Sequence, residues 1–250
     1  MSATSVAAFL RRDLLLLRRN TASLISMFVV PPLFLLCLYA VFGYSAGQSG
    51  FGYLRFVLGG CLFQAAMFTA AASAMAVGQD VESGLVDRVR VLPGATGGYV
   101  AGRLVTDVLR MSASIAALLV VAWACGLDMA VGDVAWTVLW SLFAAAVLSL
   151  VTDGVILMVP APVSTASSIQ ALEMLLLMFS TAFIPATALD GSLRDVVRHM
   201  PFSPIIEVIR AASPDAFPDS AGEEAALWLG VAAVAGIVLF IRRFTSRSES

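Results

Sequence analysis

Four charged side chains, Asp107, Arg110, Asp153 and Glu173, stand inside stretches that are otherwise apolar. A carboxylate in hydrocarbon is costly, so it turns to the interior of a helix bundle or to water, where it can exchange a proton, line a path or gate one. Asp107 and Arg110 are spaced i, i+3 and can neutralise each other, which makes them a structural pair. Asp153 and Glu173 have no such neighbour and are the candidates for a translocation path or a gate. The competing reading is an interhelical hydrogen bond or ion pair that only holds the bundle together.

The chemistry that is missing narrows the field. The chain has no GxxxxGK[ST] phosphate loop, no HExxH, no GxSxG and no Cys/His cluster, so no catalytic residue, metal ligand or bound cofactor is expected. The single histidine, His199, lies in a proline-rich polar stretch and reads as solvated. Cys37, Cys61 and Cys125 are isolated in apolar runs and behave as small hydrophobes.

These residues need a scaffold, and composition says which kind. Of 250 residues, 60% are hydrophobic and 13% charged, with a mean hydropathy of +0.92; a soluble domain carries about 25% charged residues. The chain is expected to be an all-α polytopic membrane domain spanning residues 1–250, with no soluble enzyme domain. The net charge of −2 argues against a nucleic-acid partner. Six spans are predicted, at about Thr21–Tyr44, Tyr53–Gly78, Leu104–Cys125, Val134–Val159, Ser164–Pro185 and Ala225–Ile241. Pro31–Pro32 predict a bend in the first of them. The short connection at Pro160 and Pro162 leaves open a hairpin of the fourth and fifth that does not fully cross.

Before the first span, Val6, Phe9, Leu10, Leu14 and Leu17 recur at helical spacing, predicting an amphipathic helix over 1–20 on the membrane face and no cleaved leader. Ten arginines (11, 12, 18, 19, 88, 90, 103, 242, 243 and 247) would share the side of the N-terminus, against Arg55, Arg194, Arg198 and Arg210 opposite. That asymmetry places both termini in the cytoplasm.

The segment 79–93 breaks the apolar pattern with Asp80, Glu82, Asp87, Arg88 and Arg90 and cannot lie in hydrocarbon. Read as a helix, Val81, Leu85, Val89 and Leu92 form an apolar stripe, with Asp87 and Arg90 able to pair at i, i+3. The glycines Gly94, Gly98 and Gly102, and Ala226 with Gly230, allow close helix packing.

The string from Gln79-Asp80-Val81-Glu82-Ser83-Gly84-Leu85 to Arg90-Val91-Leu92-Pro93, with Arg103 ten residues on, resembles the inner loop of type-2 ABC exporter permeases. Arg19-Asn20 before a proline-containing first span, the exit Phe179 to Pro185, and Pro201-Phe202-Ser203-Pro204 followed by Glu207 to Arg210 resemble that family in the same order. The likeness is nearest to the daunorubicin/doxorubicin-resistance (Drr) permeases of actinobacteria. Pro201-Phe202-Ser203-Pro204 replaces the family's Asn-Pro, and a proline expected near Asp190-Gly191 is missing.

The resemblance implies a permease subunit that lacks its own ATPase, pairs with a second permease subunit and exports an amphipathic drug or lipid. It implies that ATP and Mg sit on a separate nucleotide-binding subunit docked at a cytoplasmic coupling helix carrying Asp80, Glu82, Gly84, Leu85, Asp87, Arg88, Arg90, Leu92 and Pro93. It implies an external re-entrant segment over 186–224. A polysaccharide or lipid-linked glycan exporter of the same fold is an alternative. An ion-coupled carrier using Asp153 and Glu173 for proton exchange, or a membrane scaffold, is the alternative of another class.

Overall fold

A computed structural model describes residues 3–19, 25, 28–48, 52–92, 95–189, 191–211 and 221–245. Among these the secondary structure is helical, with no strand: α1 Ala3–Arg19, α2 Val30–Gln48, α3 Tyr53–Glu82, α4 Leu85–Val91, α5 Ala95–Ala124, α6 Val131–Ile156, α7 Pro162–Met178, α8 Gly191–His199, α9 Phe202–Arg210 and α10 Ala221–Thr245, with a 3-10 turn at Ala186–Ala188. Asn20, part of the expected first span (21–24, 26 and 27), Pro93, Gly94, Asp190 and 212–220 lie outside the described residues.

Helix α3 is the axis of the fold, with α2, α5, α6, α7 and α9 packed around it. Its composition explains the position. Gly59, Gly60, Ala65, Ala66, Ala70, Ala71, Ala74 and Gly78 are all buried, and such small side chains let neighbouring backbones approach closely where hydrocarbon gives no hydrophobic drive. At Gly60 the approach is extreme, since a Cβ would lie 2.3 Å from the carbonyl oxygen of Ala182.

Four helices, α3, α5, α6 and α10, are long and apolar enough to cross a membrane. The six expected spans are therefore matched by four of full length. Helix α2 has 19 residues and α7 has 17, so α7 rises only about 25 Å against about 30 Å of hydrocarbon. Pro31 and Pro32 fall in the first turn of α2, and Pro162 opens α7, where a proline's missing N–H is tolerated. The seam between α6 and α10 is made by Gly154 and Gly236, where a Cβ would meet Leu239 and Leu150 at 3.0 and 2.9 Å. The expected Ala226 and Gly230 are exposed instead.

Where α7 ends early, its backbone is repaired by side chains from α9. Arg210 donates to the carbonyls of Thr181 (3.0 Å), Ala182 (3.2 Å) and Phe56 (2.9 Å), pairs with Glu207 (3.0 Å), and lies over the Phe56 ring. Ser203 Oγ accepts the Thr181 N–H at 3.1 Å and donates to Val197 O. Irregular backbone at membrane depth is tolerable only when protein satisfies it in this way.

Candidate functional site

The expected single helix over 79–93 is two helices joined by an elbow. Residues 79–82 are the last turn of α3; Gly84 then adopts φ +71°, ψ 12° before α4 begins at Leu85. That left-handed conformation is natural for glycine and strained for an L side chain. The kink rotates the expected stripe. Val86 and Val89 are buried, against a small core that includes Ala74, Val77, Tyr99, Ile156 and Phe240. Val81 and Leu85 are half-buried, while Glu82, Asp87, Arg88, Val91 and Leu92 are exposed. Asp87 pairs with Arg243 of α10 at 2.9 Å rather than with Arg90.

Asp80 departs from the docking set altogether. It is 2% exposed and sits at the centre of an ion-pair network built by four helices. Arg12 of α1 meets both its oxygens, with Arg12 Nη1 3.2 Å from Oδ2. Arg103 Nη1 of α5 lies 3.2 Å and the Tyr99 hydroxyl 3.1 Å from the same Oδ2. Asp13 of α1 accepts from Arg12 at 3.1 Å and from Arg103 at 3.4 Å. Arg103 also donates to the Ser73 carbonyl at 3.0 Å, and its Nε lies 3.7 Å from Asp153 of α6.

The remaining members lie one to two turns deeper. Asp153 Oδ2 accepts the Ser73 hydroxyl at 2.8 Å. Asp107 pairs with Arg110 at 3.2 Å, as their spacing predicts, and the Ser73 and Ser149 hydroxyls stand beside its carboxyl. Charges this deeply buried are tolerable because each has partners. Removing one partner of such a set costs about 3–5 kcal/mol, through the charge left uncompensated. Arg12, on the half-exposed rim, is held above the ordinary arginine range: burial opposes its charge, but the hydrogen bond and the field of Asp80 and Asp13 outweigh that.

The structure does not bring Asp153 and Glu173 together. Asp153 belongs to the network, whereas Glu173 is buried on α7, its Oε2 has no hydrogen-bond partner and no ion pair reaches it among the described residues. His199 is exposed and lies 3.7 Å from Glu224. No group of His, Cys, Asp and Glu that could hold a metal occurs among the described residues.

Several network residues escape a reading of charge alone, although each leaves a trace. Asp13 lies three residues from Leu10 and four from Phe9, so it interrupts the apolar stripe of α1 that packs on α5. Tyr99, Arg103, Asp107 and Arg110 recur at i, i+4, i+8 and i+11, a polar stripe down one face of α5. The Arg12 and Asp80 pairing, 68 positions apart, has no local signature.

Comparison with known proteins gives a consistent picture. The model of the ABC-2 type transporter family matches residues 4–213. A daunorubicin resistance ABC transporter permease protein, DrrB1 of Streptomyces coeruleorubidus, is 32% identical over 117 residues, which are 46% of this chain and 41% of the relative. The matched region thus spans less than half the length of that relative. No solved structure matches.

Proposed function

The chain belongs to the ABC-2 type transporter family, and on that premise we propose that it is the permease subunit of an ATP-driven exporter that moves an amphipathic drug or lipid out across the cell membrane. It crosses six times, with α2 and α7 as the two shorter passages and both termini in the cytoplasm. Helix α1 lies on the cytoplasmic membrane face and α8–α9 on the outer one. The observation that carries the reading is α4: a short charged helix between two full-length spans, seated by Val86 and Val89, with Arg88, Val91 and Leu92 exposed beside Glu82 at the end of α3.

In this reading a separate ATPase grips that outward face, with Arg90 completing the contact. Closure of the ATPase on ATP pushes α4 as a lever. The push reaches α10 through Asp87 and Arg243, and reaches α3 through the Gly84 elbow, while Asp80 ties the end of α3 to α1 and α5. The transition is thus a rigid-body shift rather than a local one. A second permease subunit meets α7. Ser164, Ser167, Ser168 and Ala171 are exposed there, and the three hydroxyls donate to the carbonyls of Ala161, Val163 and Ser164, one turn back along the chain. Small residues of this kind suit a close helix contact.

Coexpression with a nucleotide-binding ATPase tests the reading. A complex should survive purification, hydrolyse ATP faster in the presence of transported lipids or drugs, and dissociate when Arg88→Glu and Leu92→Asp are combined. Transport driven by an ion gradient with no ATPase present would sink it. Glu173 has its own test. As a residue of the path, Glu173→Gln should lower efflux severalfold at unchanged expression, and unchanged efflux removes it from the path.

A further inference from the structure

The network around Asp80 contains more negative than positive charge, and the geometry shows where the imbalance falls. Arg12 and Arg103 are shared by Asp13 and Asp80, two guanidiniums for two carboxylates, with Tyr99 adding a neutral donor. That half is balanced. The deeper half has Asp107 and Asp153 for one guanidinium, Arg110, which reaches Asp107 Oδ1. Arg103 Nε is 3.7 Å from Asp153 and makes no hydrogen bond to it.

Among the described residues the other elements supply no further charge. Helix α3 contributes the neutral Ser73, and α10 contacts α6 here through Gly236 and Leu239. Helix α7 comes against α3 at Pro162 and Val163, and Oε2 of its one carboxyl, Glu173, has no hydrogen-bond partner among the described residues. On α4, Asp87 is taken by Arg243.

The hydrogen bonds show the same deficit. Asp107 Oδ2, Asp153 Oδ1 and Ser149 Oγ are all buried with no partner, on residues 1%, 2% and 0% exposed. The Ser149 hydroxyl, beside Asp107, can serve one of those oxygens, and two ionised carboxylates would leave the other without a donor. One un-ionised carboxyl removes the excess charge and supplies the missing donor.

We propose that Asp107 and Asp153 hold one proton between them in this conformation, so that the cluster of four carboxyls is neutral with three guanidiniums and a proton as its fourth cation. The proton comes from solvent, and the only bond formed is the O–H on one of the two carboxyls. Asp107 and Asp153 thereby form a proton-binding site. A transition that parts α5 from α6 and wets the cluster releases the proton, making pH a ligand of this conformation. This assignment does not depend on what the protein exports.

Infrared spectroscopy of the bilayer-reconstituted protein tests it, in a Glu173→Gln background so that the solitary carboxyl of α7 contributes nothing. At neutral pH the spectrum should contain the carbonyl stretch of an un-ionised carboxylic acid, shifted by deuteration. Asp107→Asn and Asp153→Asn should each abolish the band, because either leaves one carboxylate facing one guanidinium. A native state that holds a proton the unfolded chain releases becomes less stable as pH rises. The melting temperature of the parent should therefore fall as pH rises above about 4, where the unfolded aspartate gives up its proton, and level off once the native site is deprotonated, while that of Asp153→Asn should fall less over the same span. Absence of the band, or its survival in both variants, overturns the proposal. So does a melting temperature raised by sodium at fixed pH, since the site then takes a metal cation instead.

Discussion

Arg103→Met is expected to lose most of its folded yield. Arg103 is 3% exposed, reaches Asp80 and Asp13 and lies beside Asp153, and it satisfies the Ser73 carbonyl. Methionine fills the volume but leaves Asp13 and Asp80 to share Arg12 alone. A charge stranded in this way costs about 3–5 kcal/mol, a large part of the roughly 5–15 kcal/mol that holds a domain together. Membrane-inserted protein should therefore fall severalfold and unfold at lower temperature in detergent. Arg103→Lys should recover part of the loss, since an ammonium keeps the charge but cannot reach several acceptors at once with a planar fork. The comparison matters because packing loss alone would affect the two variants similarly. A methionine variant with normal yield and melting temperature would mean that the network is not what joins α1, α3 and α5.

How much of this was legible in the sequence follows from which interactions are local. The helices are legible, because each span is a run of apolar residues and the polar interruptions are sharp. The Asp107 and Arg110 pair is legible because one helical turn joins its members. Helix α1 shows in its periodicity, although its partner does not: Gly102, where a Cβ would meet Phe9 at 2.9 Å, is the point that seats it. Asp80 misleads because it stands in a polar run that reads as exposed, while its partners come from positions 12 and 103. Long-range pairing of that kind has no spacing rule. Full span length also misleads at α7, whose apolar run continues to Pro185 although the helix ends at Met178. The tail is held by Arg210 rather than by its own ladder, which no local pattern announces.

Gly84→Val is expected to leave insertion intact and to abolish coupled transport. A Cβ at position 84 would find no atom within 4 Å, so the substitution meets no steric obstacle in the surroundings. What it meets is the backbone: φ +71° costs an L residue about 1–2 kcal/mol, and a β-branched side chain is the least suited to it. The chain relieves that strain by rotating the elbow. Rotation swings α4, lifting Val86 and Val89 from their seat and parting Asp87 from Arg243. The cost to folding is modest, because α3 and α5 are held together elsewhere by the Asp80 network and by α3's own burial. In the proposed mechanism the cost to coupling is large, because a lever that yields at its pivot transmits no displacement. ATP-dependent efflux at matched expression should fall at least about tenfold, equivalent to ~1.4 kcal/mol of lost coupling. Gly84→Asn should retain more than Gly84→Ala, and both more than valine, because asparagine enters the left-handed region readily. That order is the informative result, since it follows backbone preference rather than side-chain size or polarity. Normal efflux by the valine variant would show that α4 docks a partner without transmitting its motion.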